Sequence, residues 1–242
     1  MGKEINTMKT EMINFANFEK DNNVVFKNKD LLKQAFIHRS YINENPSAGL
    51  AHNERLEFLG DAVLELIVTD YLFAKFKEYT EGELTALRSA LVNAVIISEV
   101  AQEIGMNDYL LLSRGEAKDT GKARQYILAN TYEAYLGALY LDQGYEATDK
   151  FVTETLLPHT DEIVKKKLWR DAKSLVQEKA QEFLSVTPSY KVVAESGPDH
   201  DKHFTVGICF GDEVVAQGKG KSKQEAEQSA AMSALKIKNW LD

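Results

Sequence analysis

The sequence predicts an all-α domain followed by a small α+β domain with the order α-β-β-β-α. Three observations carry this. Residues 1–160 hold long segments with apolar residues at helical spacing. From residue 188 onward, short β-branched runs alternate with turn signals. The chain then closes on an alanine-rich helical segment, and a helix, three strands and a helix in that order make a sheet with one covered face. With 242 residues, 44% of them hydrophobic, there is apolar material for two cores.

The helical segments of the first part are LLKQAFIHRSYI (31–42), ERLEFLGDAVLELIVTDYLFAKF (54–76), EGELTALRSALVNAVIISEVAQEIG (81–105) and ARQYILANTYEAYLGALYLDQG (123–144). Gly105 and Gly144 mark ends, and SRGEAKDTG (113–121) reads as a polar loop. The charge run at 161–170, after Pro158, reads as a link between domains of 12–160 and 171–240. A helix follows over 171–184. PSYKVVAES (188–196), HFTVGICFG (203–211) and EVVAQGKG (213–220) read as strands, punctuated by Gly197-Pro198 and Gly211-Asp212. The closing helix is SKQEAEQSAAMSALKIKNW (222–240).

One cysteine, Cys209, excludes a disulfide scaffold and cysteine zinc sites. No apolar run approaches the roughly 20 residues that span a bilayer. MGKEINTMKTEMINF (1–15) lacks the apolar stretch of a secretory signal, so a cytoplasmic protein with no membrane partner is expected. The net charge of −8 lies in residues 1–160, with 16 Lys+Arg against 24 Asp+Glu; the remainder carries 13 of each. A carboxylate surplus can hold divalent metal, and a neutral domain with local lysine clusters can still touch phosphate. Ordinary solubilising charge would give the same totals.

In NERLEFLGDAVLEL (53–66), Glu54, Glu57 and Asp61 are spaced by three and four, on one helix face. Their neighbours Leu56, Phe58, Leu59, Val63 and Leu64 are apolar, so the acids sit beside a core. Converging, desolvated carboxylates repel, and a divalent cation relieves both costs, with hard oxygen ligands suiting Mg²⁺. The alternative is a set of surface acids paired with Arg55 or Arg88. Gly60 costs up to ~1 kcal/mol against Ala inside a helix, which asks for a reason such as close helix contact.

That segment resembles the signature of the ribonuclease III family. AFIHRSY (35–41), EGELTALRSALVN (81–93) and ILANTYEAYLGALYLD (127–142) agree with it in the family's order, and the resemblance covers the chain after about its first 20 residues. It implies an all-α endonuclease domain and a dimeric enzyme that hydrolyses double-stranded RNA with Mg²⁺, Mn²⁺ substituting. Cleavage would leave 5′-phosphate and 3′-hydroxyl ends, in processing of ribosomal and messenger RNA precursors. Glu57, Asp61 and Glu133 match the family's metal ligands, with Asp61 and Glu133 catalytic. Glu54 and Glu81 match acids that line the cleft and support substrate handling. Phe58 matches an apolar residue that inserts into the partner subunit, where plain core packing is the other reading. Where the family usually has aspartate, this chain has Asn130, which can offer a carbonyl oxygen but no charge. That departure raises an alternative, a catalytically weak or silent homologue that only binds duplex RNA. His38 reads as structural.

The terminal part resembles a double-stranded RNA-binding domain in AKSLVQEKAQEF (172–183), GPDHDKHF (197–204) and AQGKGKSKQEAEQSAA (216–231). Such domains read duplex shape across two minor grooves and the phosphates between them. The resemblance puts Gln177 and Glu178 at one minor groove, Pro198 and His200 at the other, and Lys219, Lys221 and Lys223 on phosphates. Independently, Ser222 and Glu225 form a capping-box pattern, so a helix N-terminus with its partial positive charge lies beside those lysines. Gln224 stands where many relatives have a basic residue.

Overall fold

The structure, a computed structural model, describes residues 13–165, 172–198 and 202–240. Its contacts divide the chain into two units, Met1–Leu168 and Trp169–Asp242. In the first, helices α1 (Phe15–Asp21), α2 (Lys29–Ala35), α3 (Arg39–Glu44), α4 (Glu54–Lys75), α5 (Glu81–Leu91), α6 (Ala94–Glu103), α7 (Lys122–Gln143), α8 (Tyr145–Thr155) and α9 (His159–Lys165) follow in order. In the second, α10 (Ala172–Leu184) precedes β1 (Ser189–Ser196), β2 (His203–Phe210), β3 (Glu213–Gly220) and α11 (Lys223–Ile237). The all-α and α+β halves are those the sequence predicts.

Two long runs break where a side chain caps a new helix. The 31–42 run ends α2 at Ala35 and restarts at Arg39, because the His38 ring accepts from the Ser40 N–H and the His38 N–H donates to the Leu111 carbonyl. The 81–105 run bends by 46° between α5 and α6. There the Asn93 side chain accepts from the N–H groups of Val95 and Ile96 and starts α6. Thr80 and Glu83 form a reciprocal capping box at the start of α5. Gly105 and Gly144 take positive φ, +79° and +86°, as helix-ending glycines do. The loop 113–121 contains a single 3₁₀ turn, Glu116–Lys118. Residues 161–165, assigned to the link from sequence, are helical in α9 with Ile163 buried; residues 166–171 lie outside the described residues. No single helix among the described residues is long and apolar enough to cross a membrane.

The first unit is built on the crossing of α4 and α7. Helix α7 is buried almost all round between Ile127 and Leu139, the pattern of a central helix rather than a surface one. At the crossing the backbones touch. A Cβ on Gly60 would lie 1.7 Å from the Glu133 carbonyl oxygen, and one on Gly137 would lie 2.2 Å from the Leu56 carbonyl oxygen. This is the close contact that explains a glycine inside α4. Around α7 pack Phe18, Phe26 and Phe36 with Tyr135, at ring separations of 5.1–6.3 Å.

In the second unit, β1-β2-β3 form an antiparallel sheet with one face covered by helices. Its core holds Val176 of α10, Ile208 and Ala216 of the sheet, and Ala230, Ala231, Ala234 and Leu235 of α11. The alanines of α11 and the glycines of β3 have one cause: a Cβ on Gly218 would meet the Ala230 nitrogen at 2.1 Å, so strand and helix pack backbone to backbone. Alternation along β3 then turns Lys219 outward between buried Gly218 and Gly220.

Candidate active site and RNA-binding face

The Gly60–Gly137 contact sets the geometry of the acids. Because Glu133 lies beside Gly60 across the crossing, its side chain comes to the α4 face that carries Glu57 and Asp61. The three form one acidic group. Burial, then Asp61, then Glu57 push the Glu133 carboxyl up to about 8. Burial raises Glu57, with Glu54 and Asp61 adding to it, and burial followed by Glu65 raises Asp61. Among the described residues no Lys or Arg pairs with Glu57, Asp61 or Glu133, and no three such side chains already form a ligating cluster. Mutual repulsion of three unpaired carboxyls accounts for the absence of a ligating cluster.

Neither pairing considered from sequence occurs. Arg88 donates to the Thr69 hydroxyl at 2.9 Å. Glu54 is held by Arg39 at 3.2 Å, with the His52 ring 3.8 Å from its other oxygen. Glu54 therefore pairs with Arg39 while still acting on Glu57, at the edge of the acidic group. Glu81 opens α5, exposed, and accepts from the Thr85 hydroxyl at 3.1 Å. It lines a groove with Thr69, Leu72, Phe73, Tyr79 and Leu84 and exerts no charge effect on Glu133. Asn130 is exposed, one turn ahead of Glu133 on α7, and is not packed between helices. Phe58 is 82% exposed, which rules out core packing within the chain. His38 caps α3 and contacts the Ser40 hydroxyl at 2.8 Å, and burial holds its pKa below the ordinary value.

In the second unit, the end of β1, the start of β2, the end of β3 and the start of α11 share one pole. Lys219, Lys221 and Lys223 are exposed there, as is Pro198; Gln177 and Glu178 are exposed on α10. His200 lies outside the described residues. Ser222 caps α11 through the Glu225 N–H, at 3.1 Å, but the return bond from Glu225 lands on the Lys221 N–H, at 2.7 Å. Lys223 is not free: it sits 3.7 Å from Glu195 and over the Phe204 ring. Sequence reasoning passed over Lys202, whose ammonium lies 2.9 Å from the same Glu195 and holds that carboxyl below its usual range.

With this geometry in view, comparison with known proteins is decisive. A family model described as "Ribonuclease-III-like" matches residues 28–160, and one described as "Double-stranded RNA binding motif" matches residues 172–238. This chain belongs to the ribonuclease III family. It is 42% identical over 220 residues to Ribonuclease 3 of Streptococcus agalactiae, covering 91% of this chain and 96% of that protein. It is 44% identical over 228 residues to Ribonuclease 3 of Carboxydothermus hydrogenoformans, covering 93% and 95%. The solved nuclease domain of ribonuclease III from Campylobacter jejuni superposes with a TM-score of 0.55 at 37% identity, covering 60% of this chain and 99% of that one. Among ribonuclease III proteins, the acidic crossing and the lysine pole thus fall in the nuclease and RNA-binding parts respectively.

Proposed function

We propose that the chain cleaves double-stranded RNA at a divalent-cation centre held by Glu57, Asp61 and Glu133, with Asn130 as an outlying amide ligand. The observation that carries this is Glu133: a carboxyl buried at a helix crossing, facing two more acids and, among the described residues, no cation. Oxygen donors of this kind fit Mg²⁺, with Mn²⁺ an acceptable substitute. When bound, the cation lowers the pKa of water and neutralises charge on the phosphate. Glu133, its carboxyl raised to about 8 by burial and by Asp61 and Glu57, would hold the cation in its deprotonated form. Asp61, at the exposed end of the group, meets the incoming strand. The RNA-binding unit selects duplex by shape, and the products carry 5′-phosphate and 3′-hydroxyl ends. Processing of ribosomal and messenger precursors in the cytoplasm is the role this activity serves. The binding-only alternative has Asn130 alone in its favour.

Duplex cleavage should require added Mg²⁺ or Mn²⁺ and stop in excess chelator. Asn130→Asp should lower the Mg²⁺ concentration for half-maximal cleavage, because a carboxylate holds a hard cation better than an amide. Superimposable titrations of wild type and variant would remove Asn130 from the site.

The enzyme acts as a homodimer. Phe58, Leu66 and Phe73 lie along one face of α4, exposed by 82%, 57% and 72%, a stripe that water alone does not favour. The groove of about 430 Å³ lined by Leu72, Phe73, Tyr79 and Leu84 lies by the far half of the same helix. A two-fold axis near the middle of α4 sets Phe58 of each subunit in the other's groove, as an isologous contact requires. Glu81 lies on the rim of that groove. Phe58→Ala should weaken the dimer by roughly 30-fold or more, read as a monomer by light scattering at concentrations where wild type is dimeric.

A further inference from the structure

We infer that Arg39 is a substrate-phosphate contact at the edge of the acidic site, held in place by Glu54 until RNA arrives. The inference rests on Glu57, Asp61 and Glu133 being the cleavage centre, and extends it to a residue of a different helix.

Four observations support it. The first is charge. Every charged group that shifts Glu57, Asp61 or Glu133 is an acid. An RNA strand brought to such a surface meets repulsion, and a cation beside it is needed where the cleavage centre ends. Arg39 is the cation found there, paired with Glu54, which itself acts on Glu57. The second is position. Glu54 precedes Glu57 by three residues, about 4.5 Å along the axis of the same helix. Arg39, 3.2 Å from Glu54, therefore stands at the border of the cleavage centre.

The third is availability. The contact to Glu54, Nη1 to Oε1 at 3.2 Å, is an ion pair between two side chains that both stay open to solvent. Its side chain is 65% exposed. A guanidinium has five N–H donors, so most remain for a phosphate oxygen, and an exposed ion pair exchanges partners at little cost. The fourth is rigidity. Arg39 is the first residue of α3, whose start is pinned by the His38 cap and by the Ser40 hydroxyl, which accepts from the Ser113 N–H at 3.0 Å. The neighbouring His38 ring feels Arg39 together with Glu116, Glu54 and His52. A long side chain on a fixed base reaches a defined point. A purely structural role, neutralising Glu54, would leave these donors unused.

The test is the salt dependence of cleavage of a long RNA duplex by the full-length enzyme with saturating Mg²⁺. A lost phosphate contact removes one released counterion, so the slope of log kcat/KM against log salt should become shallower by about 0.9 in Arg39→Ala. kcat/KM should fall about tenfold at physiological salt, carried by KM, with the Mg²⁺ concentration for half-maximal rate unchanged. Arg39→Lys should retain the wild-type slope, since charge is what matters. Arg39→Gln keeps a hydrogen-bond donor for Glu54 and loses only the charge; it should match Arg39→Ala and covers the case in which alanine disturbs folding. An unchanged slope in Arg39→Gln overturns the inference, whatever happens to the rate. Asp61→Ala separates the two failures: if it cleaves like wild type, the acidic centre is wrong; if it is inactive and the Arg39→Gln slope is unchanged, only Arg39 is.

Discussion

Replacing Gly60 by alanine should destabilise the nuclease unit by ~2 kcal/mol or more and abolish cleavage. The new Cβ would sit 1.7 Å from the Glu133 carbonyl oxygen, 2.6 Å from its carbon and 2.8 Å from the Gly137 nitrogen. All three are backbone atoms, so no side chain can rotate away. Alanine gains up to ~1 kcal/mol in helix propensity over glycine. Overpacking a core costs about 1–3 kcal/mol even where side chains can shift, and more where they cannot. The clash wins, and α4 and α7 must separate. Separation moves Glu133 away from Glu57 and Asp61, so activity is lost with stability. For a chain of this size a loss of 2 kcal/mol lowers Tm by roughly 4–8 °C. Gly82→Ala is the control: nothing lies within 4 Å of its Cβ, and it sits in the first turn of α5, so it should stabilise by several tenths of a kcal/mol. Equal melting temperatures for wild type and Gly60→Ala would refute the crossing.

Glu133→Gln should do the opposite to stability while also ending cleavage. In the folded chain the Glu133 carboxyl titrates at about 8, against an ordinary value of 4.5. Between those values the native state holds a proton that the unfolded chain has released. Stability from this group is therefore full below pH 4.5, falls as pH rises, and is gone above about 8. The interval corresponds to about 5 kcal/mol at 1.4 kcal/mol per pH unit, and the solvent that still reaches part of the carboxyl reduces that to ~2–3 kcal/mol. Metal-free Glu133→Gln should thus be more stable than wild type by ~2 kcal/mol at pH 8.5 and equal to it near pH 4.5. Urea denaturation in chelator at the two pH values measures this. Adding Mg²⁺ at pH 8.5 should raise wild type and leave the variant unmoved, because a bound cation stabilises the state that holds it. A variant less stable than wild type at pH 8.5 would show that Glu133 makes net favourable contacts rather than storing repulsion for a cation.

Much of this protein was legible in one dimension. Helices, strands and the change of pattern near residue 188 follow from periodicity, which depends on residues within a single element. The shared face of Glu57 and Asp61 follows from the same arithmetic. Helix breaks at His38 and Asn93 were harder to see, because a polar residue before an apolar run reads equally as a surface position or a cap until its ring or amide is seen to accept from the next turn. Phe58 stood between two readings because α4 carries apolar residues on several faces; burial of Leu56, Val63, Leu64 and Ile67 against the interior settles which face is inward.

What the sequence determined by itself was the long helical segments, the three strands, the two-domain order, and the identity of the acids and lysines; the short helices α1, α8 and α9 and the helix breaks came with the tertiary structure. The tertiary structure decided which of them meet. Glu133 reaches Glu57 and Asp61 because two glycines on different helices let α4 and α7 touch, and Arg39 reaches Glu54 because α3 is tied to the 113–121 loop. Periodicity cannot report either contact. It records how side chains are spaced along one axis, whereas these pairings depend on how close two axes approach and at what residue, and that is set by the packed volume of every side chain between them.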